Sequence, residues 1–425
     1  MDFAYSARVE ELRTRLQAFM DAHVQPADAR WREEVEAGRY PIALIDGLKA
    51  RAKAEGLWNL FLPALKPDEP GTRLSNLEYA PLAEIMGRIY WSSEVFNCNA
   101  PDTGNMEILH LFATPEQRAR WLNPLLNGEI RSCVGITEPG VASSDPTNLQ
   151  TTIIRDGDDY IVTGRKWWTT GALHPNVKFC IVMGLSDLAE DADPHKRHSM
   201  IIVPMDAAGV SVMRNLPLLN HHSPEGHTET DFDAVRVPAT NLLGEEGAGF
   251  ALAQARLGPG RIHHCMRSIG QCEVALALMV ERALQRKAFG RTLSDYANVQ
   301  DWIAEGRMEI DQARLLCLRA AWMMDTHGNK AARTEVSAIK VVATRLQTKI
   351  ADRAMQVFGA AGLSNDTPLA FIYSWGRALR FIDGPDEVHL RTVARAEVKK
   401  HQQSNRSTFA EQGVRVPYRK PAPSG

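Results

Sequence analysis

Apolar residues recur at helical spacing through the first third of the chain. One amphipathic helix is predicted near the N-terminus, because apolar positions three or four residues apart form a single face. That face consists of Val9, Leu12, Leu16, Phe19 and Met20. We expect Pro26 to end the helix, since proline is not tolerated in a helix interior. Further helices are predicted at 41–55, 75–87, 103–112 and 114–126.

The pattern changes near Ile130 to short runs that are rich in β-branched and aromatic residues. Turn residues such as those at 156–158 (Asp-Gly-Asp) separate these runs, as in a sheet of short strands. Strands are predicted at 149–154, 160–163, 179–183, 200–203 and 231–237. The polar stretch 187–198 is predicted to be an exposed loop.

Long helical patterns return after Gly249 and are long enough for a four-helix bundle. They are predicted at 250–289, 296–326, 330–358 and 387–400. Pro259 is expected to kink or break the first of them. We therefore predict an all-helical domain at 1–130, a β domain at 131–240, a helical bundle at 241–403 and a polar tail at 404–425.

Composition narrows the class of protein. The chain has 425 residues, 44% hydrophobic and 24% charged, with a net charge of -2. These values are typical of a globular protein. The net charge gives no overall positive field that would favour the binding of nucleic acid. The apolar run Val274–Val280 is too short to cross a bilayer, so no membrane insertion is expected. The first residues resemble neither a signal nor a transit peptide, and we expect a cytoplasmic protein.

Cysteine and histidine positions do not indicate a metal centre or a disulfide framework. The six cysteines lack a Cys-x-x-Cys spacing, so we expect small buried side chains. Two histidine pairs, at 221–222 and 263–264, are each adjacent in sequence, and adjacent residues of a helix do not face one way. We predict no metal site.

Four short motifs carry the candidate chemistry. They are 136–140 (Ile-Thr-Glu-Pro-Gly), 166–171 (Lys-Trp-Trp-Thr-Thr-Gly), 286–290 (Arg-Lys-Ala-Phe-Gly) and 383–385 (Asp-Gly-Pro). In this order and at these distances, the set resembles the FAD-dependent acyl-CoA dehydrogenases. The resemblance covers most of the chain and implies their fold: an N-terminal helical domain, a small β-barrel-like domain and a C-terminal four-helix bundle. The variant 140–145 (Gly-Val-Ala-Ser-Ser-Asp) is similar to a subgroup whose eukaryotic relatives carry a fused phosphotransferase-like domain.

The resemblance implies an FAD site in the β domain. Thr137 would bond the pyrimidine edge of the flavin, with Val134 and Ile136 beside it. Trp168 would pack on the flavin ring, and Thr170 would bond near N5. Plain core packing is the alternative for the two tryptophans. Because the segment after Pro139 is one residue longer than usual, Ser143 and Ser144 are both candidates for the cofactor contacts there, and Ser143 also for the CoA.

A second set of residues is implied to reach the FAD of a neighbouring subunit. In the family, the Arg-x-x-Phe-Gly and Gln-x-x-Gly-Gly-x-Gly segments do this, and here they correspond to Arg286, Phe289, Gln356 and Gly359. A homo-oligomer, a dimer or a tetramer, follows from this resemblance. A glutamine contact usual in the family falls on Ala297, which leaves Asn298 or Gln300 as substitutes.

Asp383 is the predicted catalytic base, since family members usually present Glu-Gly-Thr at this turn. Some relatives carry the base just before Arg261, but Gly260 excludes that position. Gly384 and Arg261 are predicted to contact substrate, although Arg261 is equally suited to a structural salt bridge. Pro385 replaces a flavin-binding threonine, so Asp386 or Glu387 is expected to substitute, and an apolar pocket is expected to raise the pKa of Asp383. Asp383 as a helix N-cap is the alternative.

The predicted function is α,β-dehydrogenation of an acyl-CoA to a trans-2-enoyl-CoA. Asp383 takes the α-proton, hydride passes to flavin N5, and an electron-transfer flavoprotein takes the electrons. A flavin oxidase of the same fold, similar to nitroalkane oxidase, is an alternative because those relatives also use aspartate as the base. A non-catalytic protein that binds flavin or acyl-CoA is the third possible function.

Overall fold

The structure is a computed structural model that describes residues 4–189, 191–404 and 408–413. The first part of the chain is helical, as predicted. Its α-helices are α1 (Ala7–Phe19), α2 (Gln25–Glu36), α3 (Ile42–Ala54), α4 (Asn76–Gly87), α5 (Asp102–Phe112), α6 (Pro115–Gln117) and α7 (Asn123–Leu126). The π-helical turns Met20–Val24 and Arg118–Leu122 link α1 to α2 and α6 to α7.

The N-terminal helix buries the predicted apolar face, but Pro26 does not end the helical path. Residues Val9, Leu12, Leu16 and Phe19 of α1 are buried. The chain continues through a π-helical turn into α2, where Pro26 stands in the first turn. Proline is accepted there because the N–H groups of a first turn have no intrahelical partner. The expectation for Pro26 was therefore wrong.

The middle of the chain forms a mixed sheet. Its strands are β1 (Arg131–Gly135), β2 (Thr152–Asp156), β3 (Asp159–Thr170), β4 (Val177–Leu185), β5 (His198–Pro204), β6 (Val210–Asn215), β7 (His227–Pro238) and β8 (Leu242–Leu243). The strand order is β6-β7-β3-β2-β4-β5-β8, and β1 pairs with β4 in parallel. Strand β6 was not predicted, because it is an edge strand with no fully buried residue to give an alternating pattern.

Long helices make up the rest of the described chain. They are α8 (Gly249–Gln285), α9 (Ala297–Ala331), α10 (Arg333–Phe358), α11 (Leu369–Leu379), α12 (Asp386–Gln403) and α13 (Thr408–Glu411), with the short strands β9 (Lys287–Ala288) and β10 (Arg291–Thr292) after α8. Helix α10 packs against α8, α9, α11 and α12. Helix α8 continues through Pro259, so the expected break does not occur. Most of the predicted tail, 405–407 and 414–425, lies outside the described residues.

Two apolar cores hold these layers together. The larger joins the N-terminal helices to α8, α9 and α10 and includes residues of β4 and β5, such as Phe179 and Ile202. The smaller fills the other face of the sheet around Ile153, Val162 and Phe232. All six cysteines are buried and free, as predicted from their spacing. The site described below lies where the helical layers meet the sheet.

The described residues lack two kinds of feature. No helix in that part of the chain is both long enough and apolar enough to cross a membrane. Within the same residues, no group of three or more His, Cys, Asp or Glu side chains is arranged to hold a metal ion.

His263 is a polar residue in an apolar place, and replacing it should stabilise the fold. Its side chain is 1% exposed, packs edge-on against Phe61 and Tyr79, and has no hydrogen-bond partner at either ring nitrogen. Burial lowers the pKa of His263 well below its ordinary value, so the ring is neutral. A buried polar group without a partner costs about 1–3 kcal/mol. We expect His263→Phe to raise the thermal midpoint by a few degrees in scanning calorimetry; a lower midpoint would contradict this.

Candidate active site

A cavity of about 1070 Å³ opens between the sheet and the helices. Most of the residues predicted to bind flavin or substrate line it. They are Val134, Ile136, Thr137, Ser143, Ser144, Trp168, Thr170, Arg261, Asp383, Gly384 and Pro385. Because these positions come from β1 and the loop that follows it, from β3, from α8 and from the turn between α11 and α12, the fold brings together segments that are far apart in sequence.

Asp383 lies in a tight turn that the backbone holds in an unusual conformation. Its φ is 57° and that of Gly384 is 107°, both in the left-handed region. Arg261 Nε donates to the main-chain oxygen of Asp383 at 2.9 Å, which fixes the turn to α8. The N-cap of α12 is Pro385, so Asp383 is not a helix cap. Arg261 therefore faces the turn of the candidate base.

The pKa of Asp383 departs from the prediction. Burial acts to raise this pKa, but His264, Arg256, Arg261 and Lys340 together hold it below its ordinary value. The expected increase was wrong, because the wall around the carboxylate is not apolar: Arg256 and Arg261 of α8 and Lys340 of α10 bring positive charge close to it. A carboxylate with a lowered pKa stays ionised at neutral pH, which is the form that accepts a proton.

The Thr-Glu-Pro turn is held in place by a buried ion pair. Lys166 Nζ lies 2.7 Å from Glu138 Oε1, and both side chains are almost fully buried. The carboxylate of Glu138 also accepts the N–H groups of Gln150 and Thr151 at 2.7 and 2.9 Å. The backbone N–H of Glu138 donates to Ser143 Oγ at 2.9 Å, so that hydroxyl closes the turn from within. Ser144, one residue further on, is exposed.

A bulge in β3 turns Trp168 toward the cavity. The pairing of β3 with β7 shifts register between Lys166 and Thr169, and Trp168 has a φ of 54°. Its ring is 40% exposed, which makes it a flat apolar surface on the cavity wall rather than part of the core. Two residues later, the hydroxyl of Thr170 lies 3.0 Å from His227 Nδ1. The wall thus offers a ring face beside a polar edge.

The remaining predicted residues do not line this cavity. Arg286 Nη1 donates to Phe358 O at 2.6 Å, which places Arg286 next to Gly359. Phe289 is 101% exposed, and Gln356 is also exposed. Glu387, at the start of α12, is exposed and outside the cavity as well.

Sequence models of one protein family match most of the chain, from residue 6 to residue 398. The acyl-CoA dehydrogenase N-terminal, middle and C-terminal domains match residues 6–129, 133–235 and 247–398. The chain belongs to the acyl-CoA dehydrogenase family. It is therefore an enzyme, an oxidoreductase that acts on acyl-CoA thioesters, and the cofactor of the family is FAD. The ring face of Trp168 and the polar edge formed by Thr137 and Thr170 suit a flavin.

Related proteins fit this assignment and the predicted subgroup. "Probable acyl-CoA dehydrogenase FadE2" of Mycobacterium tuberculosis is 56% identical over 418 residues, which cover 96% of this chain and 99% of the relative. Acyl-CoA dehydrogenase family member 10 of Mus musculus is 50% identical over 96% of this chain, but the chain spans only 38% of that relative. The solved structure of a candidate acyl-CoA dehydrogenase from Mycobacterium abscessus is 48% identical, with a TM-score of 0.88 over 94% of this chain and all of that one.

Two residues were expected to replace cofactor contacts that other acyl-CoA dehydrogenases make. In the structure, Asp386 and Gln300 form hydrogen bonds within the protein instead. Asp386 is buried and accepts Arg345 Nε at 2.9 Å and Arg380 Nε at 2.8 Å, so it anchors the start of α12. Gln300 donates to the main-chain oxygen of Ser294 at 2.9 Å and closes the turn before α9. Neither side chain lines the cavity.

Sequence reasoning missed three residues of α8 that line the cavity of this acyl-CoA dehydrogenase. His264 was considered only as a metal ligand, although its Nε2 lies 3.5 Å from Asp383 Oδ2. Arg256 and Arg267 also line the cavity. The sequence did contain a signal for two of them. Position 260 holds the base in some relatives, and Arg256 and His264 lie four residues before and after it, so their side chains share its face of α8.

Proposed function

We propose that the enzyme removes two hydrogens from an acyl-CoA thioester to give a trans-2-enoyl-CoA, with Asp383 as the base that takes the α-proton. The observation that carries this is the position of Asp383: an ionised carboxylate in the wall of the large cavity, with its main chain tied to Arg261. A positioned base of this kind contributes about 10²–10⁴-fold to a proton transfer.

FAD, when bound, supplies the acceptor for the hydride that leaves the β-carbon. Thr137, Trp168 and Thr170 would hold the flavin, with Val134 and Ile136 beside them. The exposed ring of Trp168 supports this, because a large apolar face on a cavity wall favours a flat partner. Pro385 also lines the cavity and offers the flavin no hydroxyl.

The turn that carries the base also offers a donor for the thioester carbonyl. Gly384 N–H is used within the turn, where it donates to Phe381 O at 3.2 Å. Among the described residues, the N–H of Asp383 makes no main-chain hydrogen bond outside the helices and strands. A donor aimed at the carbonyl would stabilise enolate charge as the α-proton leaves. Ser143 and Ser144, which also line the cavity, would contact the CoA portion.

The pH dependence of the reaction follows from the lowered pKa of Asp383. The base is active when ionised, and a pKa below the ordinary value keeps it ionised as the pH falls through the neutral range. We expect the second-order rate of flavin reduction by acyl-CoA to stay level between pH 8 and pH 6, measured by anaerobic stopped-flow absorbance. A steep fall on that interval would show that the carboxylate titrates near neutrality and would contradict the assignment of charge around it.

We also propose that the chain forms a homo-oligomer, a dimer or a tetramer. Met308, Leu315 and Trp322 are seven residues apart on α9 and therefore share a face, yet they are 56%, 50% and 45% exposed. An apolar stripe of this kind favours a protein partner. Arg286 and Phe289, which do not line the cavity of their own subunit, would then reach the cofactor of a neighbour.

Charge placed on this stripe should separate the subunits. We expect Leu315→Glu with Trp322→Glu to lower the mass measured by light scattering after size-exclusion chromatography, because a buried unpaired carboxylate opposes association. The same variant should lose FAD during purification. Met213→Glu, on the exposed edge strand β6, is the matched control, since Met213 is 54% exposed and remote from α9 in sequence. An unchanged mass for the α9 variant would refute the interface.

An anaerobic titration with acyl-CoA thioesters of increasing chain length tests the proposed reaction. Loss of flavin absorbance with some of them is the expected result, and subsequent reoxidation by an electron-transfer flavoprotein would support that protein as the acceptor. The second candidate, an oxidase similar to nitroalkane oxidase, is favoured only by the aspartate at position 383. Oxygen uptake with nitroalkanes, together with a flavin that no acyl-CoA reduces, would replace the first proposal with the second.

A further inference from the structure

We propose that His264 is a positioning residue for Asp383: a neutral imidazole whose Nε2–H is directed at Oδ2 of the base and fixes the orientation of its carboxylate. This inference rests on the proposed role of Asp383. The carboxylate has two oxygens and a side-chain torsion that is otherwise broad, so a single donor decides which oxygen is left to meet the substrate.

The distances place His264 and Asp383 together. His264 Nε2 is 3.5 Å from Asp383 Oδ2, and both side chains are largely buried, at 8% and 14% exposed. A Cβ atom at Gly260, one helical turn before His264, would also lie 3.5 Å from that oxygen. The carboxylate therefore lies at van der Waals distance from the surface of α8 at position 260. Contacts of catalytic groups are often long without substrate and tighten once it is bound.

Arg267 determines which nitrogen of His264 carries the proton. Arg267 Nη2 lies 3.3 Å from His264 Nδ1, and a guanidinium can only donate hydrogen bonds. Nδ1 is therefore the acceptor, and in a neutral ring the hydrogen is then on Nε2, the atom that faces Asp383. The other terminal nitrogen of Arg267, Nη1, donates to Cys98 O at 3.3 Å, which holds the guanidinium in place.

His264 acts as a neutral donor and not as a cation. Burial and the neighbouring Arg267 lower the pKa of His264 to about 3, although Asp383 opposes this. The ring thus carries no charge at neutral pH. A neutral N–H can orient and stabilise a carboxylate without the strong pairing that would make the base too weak to take a proton.

The other ionisable groups around Asp383 are held by different partners. Arg256 Nε donates to Asn105 Oδ1 at 2.9 Å, and Arg261 Nε donates to the main chain of Asp383. Lys340 Nζ donates to the main-chain oxygen of Leu379. From α12, His389 Nε2 lies 3.3 Å from the main-chain oxygen of Asp383, and its pKa is lowered to about 4 by burial. The ring nitrogen of His264, by contrast, lies 3.5 Å from the carboxylate itself.

The two carboxylate oxygens consequently have different roles. Oδ2 is the oxygen that lies against α8, 3.5 Å from His264 Nε2. Oδ1 is then the atom that receives the α-proton. Without His264, the carboxylate would be free to rotate, and the fraction of time that it spends in the productive orientation would fall.

The test compares three substitutions at 264 with one at 263. His264→Phe keeps a ring but removes the donor. His264→Gln replaces the donor at about the same reach, and His264→Asn carries the same amide one methylene shorter. His263→Phe, one residue away and turned into the core, is the matched control. Each variant is reduced anaerobically by an acyl-CoA over a range of pH, and the limiting rate and the dissociation constant are measured separately.

We expect His264→Phe and His264→Asn to lower the limiting rate about tenfold and to leave the dissociation constant within about twofold. The acid limb of the rate should move up by about one pH unit, since a hydrogen bond to an ionised group is worth that order of pKa change. His264→Gln should restore both, and His263→Phe should match wild type.

Three other outcomes would overturn the inference. The first is an unchanged rate and pH profile in His264→Phe and His264→Asn. The second is an equal loss in all three variants at 264, Gln included, with no movement of the acid limb, which would indicate a packing role alone. The third is an equal loss in His263→Phe. Failure of the wild-type enzyme to be reduced by any acyl-CoA would instead refute the proposed function itself, so the two failures are distinguishable.

Discussion

Asp383→Asn should reduce the rate of flavin reduction by acyl-CoA by about 10³-fold, the middle of the range for a general base. The substitution keeps the size of the side chain and removes its ability to accept the α-proton. Because the carboxylate lies against Gly260 and His264, an amide of equal volume fits the same space. Anaerobic stopped-flow absorbance of the flavin measures the change directly.

Two controls show whether this loss belongs to the base. The Asn variant should retain FAD and bind the enoyl-CoA product with an unchanged dissociation constant, because neither contact requires a carboxylate. Asp383→Glu, which adds one methylene, should recover part of the rate, since most family members use glutamate at this turn. A rate within about tenfold of wild type in Asp383→Asn would exclude this residue as the base.

Arg131→Met should be the most destabilising single change considered for the fold, at about 3–5 kcal/mol. Arg131 is 2% exposed and pairs with the buried carboxylates of Asp102 and Glu94. Asp102 also accepts the N–H of Ser132 at 2.8 Å, and Glu94 contacts Lys49 Nζ at 2.9 Å. Both carboxylates remain when the arginine is removed, and a buried charge without its partner is costly.

The measurement is urea unfolding of the FAD-loaded enzyme, followed by circular dichroism. The midpoint of Arg131→Met should move to clearly lower urea than that of wild type. Arg236→Met is the matched control: Arg236 also pairs with two carboxylates, Asp156 and Asp159, but its side chain and that of Asp156 are exposed and that of Asp159 is only partly buried. Its midpoint should hardly change. Equal midpoints for the two variants would mean that the buried cluster contributes little to stability.

Local patterns in the sequence were sufficient to predict the fold class. The face from Val9 to Phe19 and the long helices after Gly249 show helical spacing that the structure reproduces. Predictions failed where burial is absent or where a proline has two possible roles. Strand β6 is exposed on most of its residues and gives no alternation, while Pro26 reads equally well as the end of one helix or the start of the next.

The candidate site was predictable by motif but not by environment. Thr137, Trp168 and Asp383 were identified from short motifs, and the structure places all three on one cavity. The direction of the pKa shift of Asp383 was not predictable, because the groups that set it lie far away in sequence on α8 and α10. The contact between His264 and Asp383 was not predictable for the same reason. The spacing of residues shows which face of α8 carries His264, but only the packing of the helices shows which residue that face contacts.

The most direct test of the central claim is the reduction of the enzyme's flavin by an acyl-CoA deuterated at the α-carbon, compared with the unlabelled thioester. If Asp383 removes the α-proton during flavin reduction, wild type should react more slowly with the labelled thioester, and Asp383→Asn should react with neither at a comparable rate. The account would be contradicted if wild type reacted at the same rate with both thioesters and Asp383→Asn kept that rate, because the α-proton would then leave without the carboxylate.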